Sequence, residues 1–295
     1  MKTLVISLLA AFIAAFVHTT PLFARDKGDG PKHLHFEVEG VGFDMVFVDG
    51  GTFTMGATFE QTAPLDNERP IHEVKLSDYY IGETEVTQAL WNAVTGQPLA
   101  HFSELPPNGG TEGGCLPVED VSYQEAMGFI KMLQQKTAAK FCLPTEAQWE
   151  YAARGGKASR GYEYAGSDDV EEVAWCGASL RPNDGVFRDS IQLRAYLDES
   201  RAHTYPVAQK KPNELGLYDM SGNVAEWTAD VYAPYTAGRQ KNPKGPSYGK
   251  EHVFRGGCWY FGPWSSRVTQ RQGAPSSTHY SNLGFRLALP KYYKM

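Results

Sequence analysis

Apolar and polar positions along this chain divide it into a patterned first half and an unpatterned second half. Met45-Val46-Phe47-Val48 and Thr52-Phe53-Thr54-Met55 flank Asp49-Gly50-Gly51, a strand–turn–strand pattern that ends at Gly56. Residues 71–76 alternate apolar with polar, and Tyr79-Tyr80-Ile81 reads as a further strand. Three helices carry start signals. Thr87 is placed to cap a helix with Leu90, Ala93 and Val94 on one stripe and Gly96 at its end. Ser122 with Glu125 forms a capping box ahead of Ala126, Phe129, Ile130 and Leu133, spaced i, i+3, i+4, i+7. Thr145 with Gln148 opens a shorter helix through Trp149, Ala152 and Ala153 that stops at Gly155-Gly156. Beyond Gly156 the helical period disappears, leaving Gly, Pro, Asn and aromatic residues with short strand candidates at 252–255 and 283–289. With no internal repeat and no linker, the pattern predicts a single irregular α+β domain. Loops this long are usually functional or tied down by metals and disulfides.

Composition agrees. The 295 residues are 42% hydrophobic and 21% charged, which excludes global disorder. Gly 30 and Pro 18 together make about one residue in six, and aromatics reach 13%, so a loop-rich fold with ring-based packing is expected. A net charge of -6 offers no basic footprint for nucleic acid. At the N-terminus, Lys2 precedes an apolar run over residues 4–17, and Pro21-Leu22-Phe23-Ala24 resembles a cleavage site. Residues 1–24 are therefore expected to be a signal peptide, 25–42 a flexible lead-in, 43–290 the domain and 291–295 a tail. The mature protein is expected to be exported, periplasmic or secreted, with no transmembrane anchor after cleavage. Four cysteines, Cys115, Cys142, Cys176 and Cys258, allow three disulfide connectivities, and their spacing matches no zinc pattern.

Three local motifs carry candidate chemistry. Gly245-Pro246-Ser247-Tyr248-Gly249 fits the GxSxG string of serine hydrolases, but that nucleophile needs a strand-to-helix turn, and no helix follows here. His33, His35 and Glu37 alternate on an early extended segment without a third ligand, which reads as a solvated strand. Asp219-Met220-Ser221-Gly222-Asn223-Val224-Ala225-Glu226 places two carboxylates seven residues apart around Gly and Asn. Calcium favours such oxygen donors, and Asx-turns and helix caps use the same residues.

These segments, taken together, resemble the formylglycine-generating enzyme family, also called the sulfatase-modifying factor family. The resemblance rests on segments in family order. Val48-Asp49-Gly50-Gly51-Thr52-Phe53-Thr54-Met55-Gly56, Glu83-Thr84-Glu85-Val86-Thr87, Pro117-Val118 and Val121-Ser122 come first. Leu143 through Gly155 and Gly216 through Trp227 follow, and Arg255-Gly256-Gly257 and Asn282-Leu283-Gly284-Phe285-Arg286 close the set. The resemblance implies a decorated C-type lectin-like fold with little regular structure and structural calcium. It puts one calcium site on the Asp219 and Glu226 side chains and the Gly222 and Val224 carbonyls; the family's other site falls in the stretch 175–206, where no residue of this chain is assigned to it.

One departure bears on function. The aerobic family enzyme oxidises a substrate cysteine with copper held by two cysteines five positions apart, and those positions fall on Phe261 and Ser266 here. Neither side chain supplies a thiolate, so copper is not expected. Cys258, directly after Gly257, is the remaining candidate catalytic residue. The segment that lines the family's substrate groove carries Trp259, Tyr260, Phe261, Trp264, Arg267, Arg271, His279 and Tyr280 with few aliphatic residues. Trp, Tyr and Arg dominate binding hot spots, so this segment is expected to contact an unknown small-molecule, peptide or protein ligand. The sequence reading is thus a ligand- or protein-binding module on this fold. The alternatives are a periplasmic oxidoreductase of the pyoverdine-maturation type, which also lacks the cysteine pair, and a formylglycine-generating oxidase.

Overall fold

The computed structural model describes residues 32–98, 115–177 and 203–291, so the expected signal peptide lies outside the described residues. In chain order the strands are β1 (His33–Val38), β2 (Val41–Val48), β3 (Thr52–Met55), β4 (His72–Lys75) and β5 (Tyr79–Gly82). The helices α1 (Gln88–Thr95), α2 (Tyr123–Thr137), α3 (Glu146–Ala153) and the one-turn α4 (Val170–Val173) follow. The second half supplies β6 (Ala225–Val231), β7 (Gln240–Lys241), β8 (Glu251–Arg255), β9 (Arg271–Pro275), β10 (Leu283–Phe285) and β11 (Ala288–Pro290). They form three small sheets, ordered β1-β2-β5-β11, β10-β6-β8-β9 and β3-β4-β7. The second sheet mixes a parallel β10–β6 pair with antiparallel β6–β8 and β8–β9 pairs. Among the described residues no helix is long and apolar enough to cross a membrane.

All three helix starts form where the caps predict. The side chains of Thr87, Ser122 and Thr145 accept the backbone N–H of Leu90, Glu125 and Gln148, and both capping boxes close. α1 ends at Gly96 with φ 73°, the left-handed conformation that glycine adopts without a Cβ clash. The apolar stripe of α2, Ala126, Phe129, Ile130 and Leu133, faces one core, where Trp91 stacks on Phe129 at 5.2 Å and Phe285 meets Phe129 edge-on at 5.4 Å. A second core gathers Val46, Val48, Val74, Trp149 and Tyr151. Strand β5 lies between the two, with Tyr80 packed in the first and Tyr79 and Ile81 in the second, as period-2 alternation requires of a strand buried on both faces.

The structure corrects two boundaries. The segment expected as a flexible lead-in contains β1 and the start of β2, paired from His33↔Val46 to Val38↔Val41, so the domain begins about ten residues before Phe43. The expected hairpin across Asp49-Gly50-Gly51 is also absent: β2 pairs with β1 and β5, and β3 pairs with β4 in a different sheet. The Gly-Gly turn docks on residues 76–78 instead. Gly50 N–H donates to Asp78 Oδ1 at 2.8 Å, and Gly51 O accepts Leu76 N–H at 2.8 Å.

Buried ion pairs run through the second sheet and α3. Arg255 donates to Glu146 at 2.9 Å and to Glu150 at 2.6 Å, Arg271 grips Glu146 at 2.6 and 2.8 Å, and Arg286 grips Glu226 through two contacts of 2.6 Å. Arg267 holds Glu68 at 2.5 and 2.8 Å. Burial by itself would raise the Glu68 carboxyl; Arg267 and Thr269 outweigh it and hold it below its ordinary value. Arg286→Met strands Glu226 without its cation and is expected to cost about 3–5 kcal/mol in urea unfolding. Lys157→Met, which removes the exposed Lys157–Asp49 contact, is expected to cost less than about 1 kcal/mol. Equal losses in the two variants would show that burial does not decide the weight of these pairs.

Candidate functional site

After β8 the chain turns through Gly256 and Gly257, with φ 98° and 69°. A Cβ on Gly257 would lie 2.6 Å from the Ser265 carbonyl, so only glycine lets the strand fold back beneath the Pro263–Ser265 turn. The turn delivers Cys258 into the interior and Trp259, Tyr260, Phe261 and Trp264 towards one face. Their ring centroids follow one another at 5.4, 5.1 and 5.9 Å, and Phe261 is 37% exposed at the outer end. Trp259 is mostly buried beneath this row, its Nε1–H donating to Ser281 O at 3.3 Å. Tyr280 and His279 stand on the adjoining ridge, just before Ser281. His279 Nδ1 lies 2.7 Å from Asp120 O, and its Nε2 lies 3.4 Å from Glu125.

A second aromatic group, which sequence reasoning missed, abuts the first. Trp175 stacks on Tyr205 at 3.8 Å and 8°, His203 lies 4.5 Å from Tyr205, and Lys210 Nζ sits 4.2 Å above the Trp175 ring. Gly177 N–H donates to Phe261 O at 2.8 Å and joins the two groups. Asn223, fully buried with φ 60°, clamps them from below. Its N–H donates to Trp175 O, its carbonyl accepts Trp259 N–H, and its side chain exchanges two hydrogen bonds with the Tyr205 backbone. Trp175 and Tyr205 lie 30 positions apart with no periodic relation, so no spacing signal marks them.

The structure removes Arg267 and Arg271 from the expected contact surface. Both are 1% exposed, and their guanidiniums are consumed by Glu68 and Glu146; Arg271 is also stacked 4.0 Å from the Tyr235 ring. Cys258 is likewise no exposed nucleophile. Burial pushes its thiol up to about 11, against the opposing pull of the Phe261 and Tyr260 N–H groups and of Asn282 Nδ2 at 3.2 Å, so the neutral thiol dominates near pH 7. Ser266 is buried with an unpartnered Oγ, and Phe261 presents a ring to solvent. Neither position offers a thiolate.

The two carboxylates of the expected calcium motif differ in their partners. Glu226 accepts Trp149 Nε1–H at 2.7 Å and two hydrogen bonds from Arg286 at 2.6 Å. Asp219 behaves differently: Oδ2 accepts Ala208 N–H at 2.7 Å, while Oδ1 is buried without a partner. Both oxygens of Glu85 are buried without a partner as well. Burial and then the charge of Asp219 push the Glu85 carboxyl well up. Burial, with Glu226 adding to it, pushes Asp219 up to about 6. Among the described residues no group of three or more His, Cys, Asp or Glu side chains is arranged to hold a metal. The second expected calcium segment, residues 175–206, lies largely outside the described residues.

A family model described as the sulfatase-modifying factor enzyme 1-like domain matches residues 36–291. The chain belongs to this family. A formylglycine-generating enzyme from Streptomyces coelicolor is 30% identical over 82% of this chain and 88% of its own length. Among solved structures, Treponema denticola variable protein 1 superposes with a TM-score of 0.73 at 30% identity, covering 88% of this chain and 99% of that one. PvdO from Pseudomonas aeruginosa superposes with a TM-score of 0.64 at 25% identity, covering 89% and 100%. The fold of this family member is thus shared over nearly its whole described length. The face built by Trp175, Tyr205 and 259–264 is expected to separate from the core in stability measurements. Phe261→Ala and Tyr280→Ala, at positions 37% and 49% exposed, should change unfolding free energy by no more than about 0.5–1 kcal/mol. Arg267→Ala or Arg271→Ala, which strand buried acids, should cost about 3–5 kcal/mol. Similar losses for all four would return the exposed rings to the core.

Proposed function

We propose that this sulfatase-modifying factor family member is an exported binding module that does not perform copper-dependent formylglycine formation. The observation that supports it is the pairing of Phe261 and Ser266, which supply no thiolate, with an aromatic face assembled from two distant segments. Tyr260, Phe261, Trp264, Trp175 and Tyr205 offer stacked and edge-on rings, and Lys210 and His203 add polar contacts at the edge. Rings of this kind bury large area at low entropic cost and suit a peptide, protein or small-molecule ligand. A second reading, catalysis without the cysteine pair, has Cys258 in its favour, since three N–H donors converge on that sulfur beneath the face. Incubation with copper and a sulfatase-derived cysteine peptide tests the absence of formylglycine formation. Mass spectrometry is expected to find the peptide unchanged, and any conversion to formylglycine overturns the binding-module reading.

The same reading includes a structural calcium ion held by Asp219 and Glu85 with main-chain oxygens of the 219–226 turn. Two buried, mutually repelling carboxylates favour a cation between them, and calcium takes carboxylate and carbonyl oxygens together. Without the ion, Asp219 has a folded pKa of about 6, above its ordinary value. That stabilisation is present below about pH 4 and is lost as pH rises through about 6. Chelator-treated protein is therefore expected to melt higher near pH 5 than near pH 7.5, and added calcium to raise the neutral-pH melting temperature. Glu85→Gln should abolish the calcium response. A melt indifferent to chelator at neutral pH would remove the ion from the reading.

A further inference from the structure

The connection from β6 to β7 and the loop after β7 border a cavity of about 400 Å³ that is open to solvent on one side. We propose that this cavity binds a small organic cation, an aliphatic or arylalkyl ammonium, with the Asp230 carboxylate as its counter-charge. The size is that of a small-molecule site. Pro234, Tyr235, Pro243 and Pro246 give it apolar walls, and Lys244 stands among the residues that line it.

Charge balance carries the choice of ligand. The buried network around α3 links Glu60, Glu146 and Glu150 to Arg154, Arg255 and Arg271 through contacts of 2.6–3.0 Å. Each guanidinium is matched by one carboxylate of that set. Asp230 is the fourth acid, 4% exposed, and no ion pair reaches it. Its Oδ2 accepts Glu146 N–H at 2.8 Å, which leaves Oδ1 for the cavity that Asp230 lines. His72, also on the wall, offers an acceptor. His72 Nδ1 lies 3.1 Å from Pro70 O and must donate to it, so in the neutral ring Nε2 carries a lone pair. The buried wall thus holds one carboxylate without an ion pair, an acceptor nitrogen and apolar side chains, while Lys244 is exposed at the edge, a combination that favours a ligand with a positive, hydrogen-bond-donating head.

Electrostatics around Asp230 give the proposal a pH signature. Burial and then the charge of Glu146 on α3 push its carboxyl up to about 7, opposed by the Glu146 N–H and by Arg271 on β9 and Arg255 on β8. Tyr123 on α2 and His252 on β8 also face it, the His252 ring through the Asp230 main chain. Lys244 and His72 complete the charged or titratable groups at the cavity. A bound ammonium favours the ionised carboxylate, so affinity should rise as pH climbs through about 7 and fall as Asp230 takes up its proton.

The test uses three probes of one shape, phenethylamine, 2-phenylethanol and 3-phenylpropionate, titrated into the full chain by NMR and calorimetry. Phenethylamine is expected to shift resonances of cavity residues at concentrations up to about 10 mM, with the alcohol at least tenfold weaker and the carboxylate weaker still. Its affinity should drop about tenfold between about pH 8 and pH 6. Asp230→Asn keeps an oxygen for the Glu146 N–H and should lower affinity at least tenfold while abolishing the pH dependence. Thr236→Trp, an exposed substitution at the cavity wall, should block binding without changing the melting temperature. Binding of the carboxylate as tightly as the amine overturns the proposal. So does undiminished amine binding in Asp230→Asn, or the absence of any amine-induced shift in cavity residues at the higher pH.

Discussion

Glu146 and Glu150, one turn apart on α3, receive arginines from two strands of the second sheet and from the end of their own helix. Arg255 spans both acids, Arg271 closes on Glu146 with two hydrogen bonds, and Arg154 meets Glu150 at 3.0 Å. None of these contacts is weakened by water, because the side chains of Arg255 and Glu150 are fully buried and the others nearly so. Removing either partner would leave a bare charge in a low-dielectric interior, so helix and strands are tied to one relative placement. The second half of the chain has few residues in regular structure, and this pairing does the positioning that long helices do elsewhere.

The aromatic face depends on that placement at one remove. β8 carries Arg255 at its end, and Gly256 and Gly257 follow at once, so anchoring the guanidinium fixes where the turn and the ring row begin. Asn223 then ties the row to Trp175 and Tyr205 through main-chain hydrogen bonds, with its own backbone in the left-handed region. Gly222 is needed beside it because a Cβ there would collide with the Trp175 backbone. Rigid support and an apolar surface sit in the same few residues, and recognition surfaces need both.

Charge is not fully balanced within the fold, and the imbalance is local. Four buried acids, Glu68, Glu146, Glu150 and Glu226, each hold a guanidinium, and arginine contacts keep the Glu68 and Glu146 carboxyls below their ordinary value despite burial. Glu85, Asp219 and Asp230 have none, and burial pushes all three up. Buried carboxylates without an ion pair are costly in a low-dielectric interior.

Much was legible from the sequence because it was local. Helix starts at Thr87, Ser122 and Thr145 are set by hydrogen bonds three residues long, and the apolar stripe of α2 follows from the helical period alone. Family membership was legible too, because ordered motifs survive over the whole domain. What the sequence left open were partnerships between distant residues. Strand propensity marks β2 and β3 but does not say that each pairs elsewhere, since the turn between them is captured by residues 76–78. Arg267 and Arg271, among aromatic residues, match the composition of a binding surface. Their acids lie 199 and 125 positions away, and only the folded chain reveals that both guanidiniums are spent on the core. Glu226, at the end of the 219–226 motif, likewise meets Arg286 60 residues on, a partner that local spacing does not show. Short-range chemistry is written in the order of residues, whereas the ownership of each buried charge is decided by which distant side chain reaches it first in three dimensions.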